Sequence, residues 1–273
     1  MKRLISAFLA LAALAVCCGC ATPSSAYIDP DGDTVRTRFI PPEGFYRVES
    51  DGYGEYLRDI RVLPEGTQIR KYDGTLVNSG VEYCAVLDVD VGTRDLQQCA
   101  DSALRLRCEY LFSIGAYDQI CYQLTSGDEL PYTMYRDGYR LHVENGTDVS
   151  LTKDEPYDES YETFREYYTD LFRYAGTISI ERESQSVAPE DMQIGDVFVI
   201  GGSPGHLMFV LDMVCDDNGR KAFLIAQGNT PAQQMHVLVN SGSMSPWLLL
   251  DESSFPIVRG DLSFGVETLK RMP

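Results

Sequence analysis

Histidine is scarce in this chain, three in 273 residues beside a single tryptophan. Only His142, His206 and His236 can therefore supply an imidazole base near neutral pH. Basic residues are also few, 23 Lys and Arg against 41 Asp and Glu, for a net charge of −18. Such a surface repels phosphate backbones, which argues against nucleic acid as a partner and against docking on anionic lipid through a basic face. The sequence has no Walker loop and no GxGxxG turn to cradle a nucleotide phosphate. A zinc site drawn from Cys99, His206 and His236 would lack the close-spaced ligand pair usual for zinc, so no metal and no cofactor is expected. Repeats and low-complexity segments are absent beyond a short tether, and the apolar run Leu4–Val16 is too short for a comfortable membrane span.

That run has a different use. Lys2 and Arg3 precede it, and Cys17-Cys18-Gly19-Cys20 with a small, polar Ala-Thr-Pro-Ser-Ser stretch follows. A basic start, about a dozen apolar residues and a small-residue cut site make a secretory signal. A cysteine directly after Gly19 looks like a bacterial lipobox, with Cys20 as the lipidated first residue and Cys17 and Cys18 as poorer rivals. Residues 1–20 are then a signal peptide and 21–35 a tether. The chain 36–273 is read as a single α+β domain, lipid-anchored in the bacterial cell envelope, at the outer membrane or periplasmic face. Lipid at the amino terminus is its expected contact with a membrane.

What is plentiful is core material: 44% hydrophobic and 11% aromatic residues describe a packed globule. Besides Cys20, five cysteines remain after processing, an odd number, so at least one thiol is unpaired within the chain. Cys84, Cys121 and Cys215 sit in apolar, strand-like runs and read as core. Helical spacing is expected over 53–60, over 95–112 (Cys99, Ala103, Leu106 and Tyr110 on one face, with Asp95 and Gln98 as a capping box) and over 159–174. Strands are expected over 81–91, 120–124, 195–200, 206–213, 221–227 and 235–239, with hairpins at Asn145-Gly146 and Asp217-Asn218-Gly219. A helix followed by an antiparallel meander is an α+β order.

The pattern that carries chemistry is Cys99 near a helix start with His206 opening a strand. A thiol there feels the positive end of the helix dipole, and an imidazole can take its proton. If the hairpin loop is even, His206 shares a sheet face with Met208, Val210, Gln227 and Asn229, because register parity fixes the face. An odd loop puts them on opposite faces. Gln97, Gln98 and the Cys99 backbone N–H are candidate oxyanion donors. Against this stands the plainer reading that Cys99 is one core residue of an amphipathic helix. His142 reads as an exposed strand residue, and His236 as a hydrogen-bonded core histidine able to replace Gln227 as orienter.

The segments GDVFVIGGSPGH and LIAQGNTPAQQMHVL, with LQQCADSALRLRCEYL before them, resemble a bacterial lipoprotein family defined by a domain of unknown function, over about Arg38 to Phe264. More distantly, Gly195-Asp196-Val-Phe and His206 opening an apolar strand resemble NlpC-type and CHAP-type papain-like cysteine hydrolases. That resemblance implies a core of one helix carrying Cys99 packed on an antiparallel sheet at about 192–241, with a helical and strand insertion over about 117–191. It makes Cys99 the nucleophile, His206 the base and Gln227 the orienter, with a peptide or peptidoglycan-type substrate. Cys99 lacks the Asp-Cys-Ser/Gly surroundings common in those amidases. The alternatives are an inactive papain-like module that binds glycan or peptide, and a structural envelope lipoprotein.

Overall fold

The computed structural model describes residues 26–273 apart from 51, 79, 146 and 147, so the expected signal peptide and Cys20 lie outside the described residues. Its centre is a nine-stranded sheet of mixed α+β architecture in which each pairing is antiparallel. The path across it runs Tyr83–Val86, His236–Leu238, Lys221–Gln227, His206–Asp216, Val197–Ile200, Leu269–Arg271 and Gln185–Ser186. The strand His206–Asp216 is its spine, buried without a break from His206 to Val214. A strand enclosed on both faces explains why the sequence there is apolar on both parities, broken only by the ion-paired Asp212, rather than alternating.

The hairpin after this strand has an odd loop, 217–219, closed by Asp216 and Arg220, with Gly219 at φ +78. That loop alone would put His206 and Gln227 on opposite faces. A β-bulge corrects it: Leu224 pairs with Asp212 but Ile225 with Val210, leaving Leu211 as the extra residue. One extra residue flips the parity of everything beyond it. His206, Met208 and Val210 thereby regain the face that carries Ile225 and Gln227. His236, paired opposite Gln227, joins the same face.

The central helix runs Cys99–Ser113 and begins three residues later than the Asp95 cap implies. Asp95 does bond the Gln98 side chain (3.1 Å), but within the preceding loop, and also accepts the Ala232 amide at 2.7 Å. The actual box is closed by Asp101, which accepts from the Gln98 N–H at 3.0 Å. The consequence is that Cys99 is the first helical residue. Nor is the helix half-exposed: every residue from Cys99 to Leu106 is buried, charged ones included, because sheet and neighbouring helices enclose its first two turns.

The segment 117–191 contributes two small hairpins and the helices Tyr132–Arg136, Tyr161–Tyr174 and Thr177–Glu183. Ser160 caps the second of these through the Thr163 N–H, and Asn145 takes the left-handed turn conformation at φ +51. Phe112 of the central helix stacks on Phe164, ring centroids 4.2 Å apart, so this segment shares one hydrophobic core with the sheet. The tether is shorter than expected. From Tyr27 and Ile28 the chain packs on the core, and buried Arg38 donates to the Gly32 carbonyl at 2.6 and 2.9 Å. The sheet also extends past 192–241, since it recruits strands at 45–47, 83–86, 185–186, 248–249 and 269–271. No described helix is long and apolar enough to cross a membrane.

Candidate active site

Three polar side chains line up on the buried sheet face. The His206 imidazole Nε2 lies 2.7 Å from Gln227 Oε1, Gln227 Nε2 lies 3.1 Å from His236 Nε2, and His236 Nδ1 lies 3.0 Å from the Gln234 carbonyl. Only a donor can face a carbonyl, so His236 carries its proton on Nδ1 and offers a lone pair at Nε2. Burial keeps it neutral, with its pKa lowered to about 4. Gln227 must then donate to His236 and present its oxygen to His206. His206 in turn must donate from Nε2, which leaves Nδ1 as the basic nitrogen. The Gln234 carbonyl thus sets the tautomer of a histidine two side chains away. Burial also lowers the pKa of His206, against the Gln227 bond that raises it, so the imidazole is poised as a base.

Cys99 reaches the same strand by a different route. The Leu207 backbone N–H, one residue after His206, donates to its sulfur, and the amides of Ala100 and Cys99 also favour the thiolate. Burial outweighs these donors and holds the thiol above its ordinary pKa; the Asp101 carboxyl adds to the effect. Asp101 is itself pushed up to about 8 by burial, so at neutral pH it is largely uncharged and opposes a thiolate less than an ordinary aspartate would. At neutral pH the thiol and the His206 imidazole are both neutral, joined through the Leu207 N–H that follows the histidine and not by a hydrogen bond of their own.

Helix start and strand end meet at Gly228. A methyl group there would stand 2.2 Å from Ser102 Oγ and 2.8 Å from the Gln98 carbonyl. Gly228→Ala is therefore expected to push the first turn of the helix off the strand and cost about 1–3 kcal/mol, read as a lower urea midpoint. An unchanged midpoint would show that the helix start yields freely.

The other expected site residues divide. Asn229 faces the same cavity as His206 and Gln227, but its Oδ1 accepts the Thr230 N–H at 2.8 Å rather than bonding the imidazole. Gln97 is buried with its oxygen held by Arg105 at 2.7 Å, and Gln98 is bonded to Asp95 and to the Thr230 hydroxyl at 3.0 Å. Those two glutamines build the loop and the helix start, and neither lines the cavity that His206 and Gln227 face. His142 sits on an exposed hairpin beside Asp154. Among the described residues, no group of three His, Cys, Asp or Glu side chains gathers as a metal site. The five cysteines of the described chain, Cys84, Cys99, Cys108, Cys121 and Cys215, are all unpaired.

The cavity, of about 490 Å³, is lined by His206, Gln227 and Asn229 and, from the other side, by Arg259 and Asp261, with Glu82 also on its lining. Cys99 is not among its lining residues. Arg259 went unnoticed in the sequence, where Arg259-Gly260-Asp261 shows only a turn; it stands in a two-strand hairpin, Ile257–Arg259 with Leu262–Phe264, folded over the histidine face. Phe264 of that hairpin meets the His206 ring edge-on at 6.1 Å.

Comparison with curated proteins and with solved structures finds no match. A family match does exist, and it runs from the first residue of the first helix to the last residue of the last strand. Over residues 35–271 the chain belongs to the family described as Domain of unknown function (4846).

Proposed function

We propose that this protein is an envelope thiol hydrolase, papain-like in the NlpC manner, held by lipid on Cys20 and cleaving amide or peptide bonds such as those of peptidoglycan stem peptides. The observation that carries the reading is the Gln234–His236–Gln227 relay, which leaves His206 with its lone pair on Nδ1. A buried network that only filled space would have no reason to hold one tautomer of a strand-end histidine beside a helix-start cysteine.

The chemistry follows from those positions. His206 Nδ1 takes the Cys99 proton as sulfur attacks the carbonyl carbon, and helix N-terminal amides stabilise the developing oxyanion. The tetrahedral intermediate collapses as the imidazolium returns the proton to the leaving amine, giving a thioester. Water, deprotonated by His206, then attacks that thioester and releases the acid with the thiol restored. Gln227 keeps its bond to Nε2 throughout and holds the ring in plane.

Carboxamidomethylation of Cys99, followed by mass spectrometry of its peptide, tests the pair. Because the thiol is neutral at rest, its reaction is expected to follow the base. The rate rises as His206 loses its proton, with a midpoint below about 6.5, the unperturbed histidine value, and then levels. His206→Ala should remove this acid-side step and leave only the thiol's own ionisation above its ordinary value. A wild-type profile with that single alkaline step, unaltered in His206→Ala, would end the proposal.

One observation favours a second reading, a module that binds peptide or glycan without cleaving it: the cavity is lined by the histidine side of the site and not by the thiol.

A further inference from the structure

The Arg259 guanidinium is short of partners. Its Nε is buried with no hydrogen-bond acceptor, and its one hydrogen bond among the described residues runs from Nη1 to the neighbouring Val258 carbonyl at 3.1 Å. No carboxylate lies within ion-pair distance of it among the described residues. In a chain with 41 acids and 23 bases an arginine short of a carboxylate is unexpected, since acidic partners abound. Buried charged groups are ordinarily paired, because an uncompensated one is costly. The side chain also lines the cavity that His206, Gln227 and Asn229 enter from the opposite wall. Asn229 adds to that wall an Nδ2 group that bonds nothing in the described chain. Both imidazoles are held neutral there, and burial lowers the guanidinium pKa as well. Two acids also line the cavity, Glu82 and Asp261, both exposed; neither forms an ion pair with Arg259, and Glu82 acts on it only at a distance.

We propose that the cavity between His206 and Arg259 is a subsite for a carboxylate of the substrate, with the Arg259 fork and Asn229 Nδ2 as its donors. A guanidinium presents parallel N–H groups that match the two oxygens of a carboxylate, which a single ammonium does not. This inference rests on the hydrolase reading for the word substrate and narrows it: of the peptides that site would cut, those with an acidic side chain or a free carboxyl terminus near the scissile bond fit. Glu82 and Asp261 make a further demand, since each repels an incoming carboxylate and so weakens binding that Arg259 strengthens.

The test is equilibrium binding to the Cys99→Ala chain, in which turnover plays no part. Two probes are titrated calorimetrically at fixed ionic strength, N-acetyl-Ala-Glu-Ala-amide and its glutamine counterpart, with inorganic phosphate as a third. The expected result is preference for the glutamyl peptide by at least about tenfold, the worth of one good charged contact. Arg259→Gln should abolish that preference, Arg259→Lys should restore part of it, and Glu82→Gln should increase it. Equal or undetectable binding of the two peptides overturns the proposal. So does a preference that survives Arg259→Gln, and so does tighter, Arg259-dependent binding of phosphate, which would make the cavity a phosphoryl site. If binding behaves as expected while the wild-type chain cleaves nothing, the subsite stands and the hydrolase reading falls. Cleavage with no acidic preference has the reverse meaning.

Discussion

Replacing Cys99 by alanine is expected to lower amide hydrolysis by at least about 10³-fold while leaving the protein folded. The size follows from what is removed. Without the sulfur there is no covalent route, and what is left is the catalysis that binding and oriented amides provide on their own. The fold should survive because a buried cysteine acts as a small hydrophobe, and its loss leaves a void of about one atom, at a cost of about 1 kcal/mol. Digestion of muropeptides, with released amines followed by mass spectrometry, compares the variant with the wild type. Gln227→Leu should fall between the two. It preserves nucleophile and base but strands the Nε2 atoms of both His206 and His236, so His206 is no longer held with its lone pair on Nδ1. Equal turnover by wild type and Cys99→Ala would remove the thiol from the mechanism. Binding with no turnover by either would move the protein to the binding-module reading.

The sheet and its elements were legible because they follow local rules. The apolar run Leu207–Leu211, resumed after Asp212, reads as a strand enclosed on both faces because Asp217-Asn218-Gly219 marks a turn right after it. The pairing of His206 with Gln227 was legible for an incomplete reason. Parity with an even loop predicts a shared face; the loop is odd, and the bulge at Leu211 restores the parity. No composition signal marks a bulge placed inside an apolar run, since Leu211 has the same character as its neighbours. The cap of the central helix was misplaced for a related reason. Asp95 and Asp101 both stand three residues from Gln98, and only the tertiary contact of Asp95 with the Ala232 amide shows which of them belongs to the loop. The relay position of His236 and the cavity position of Arg259 were hidden more deeply, although His236 was legible as a buried, hydrogen-bonded histidine. One is made part of the relay by strand register, the other part of the cavity by a hairpin more than twenty residues further along the chain.

The largest loss of stability is expected from Asp212→Ala. Asp212 is fully buried on the face that carries Leu224, and two arginines from separate elements converge on it. Arg58, from the helix Gly52–Asp59, donates from Nε to Oδ1 at 2.7 Å; Arg47, from the strand Phe45–Arg47, donates from Nε to Oδ2 at 2.9 Å. The Met213 N–H supplies a third bond at 2.8 Å. Removing the carboxylate deprives Arg58, whose side chain is 3% exposed, of its buried counter-ion, leaving only Glu55 and two backbone carbonyls to satisfy it. Breaking one side of a buried pair in this way costs about 3–5 kcal/mol. In a chain of this size that is a fall in Tm on the order of 10 °C, measurable by circular dichroism. Asp212→Asn keeps the shape and an acceptor but not the charge, so its loss should be smaller. The position also explains why the effect should reach the site. Asp212 immediately follows the bulged Leu211, and its arginines clamp the strand where its register changes. If the bulge relaxes, His206 and Gln227 part, so Asp212→Ala should lose the acid-side step in Cys99 alkylation even at temperatures where it remains folded. A variant that melts early but keeps that step would show that the bulge is held by the hairpin itself and not by the clamp.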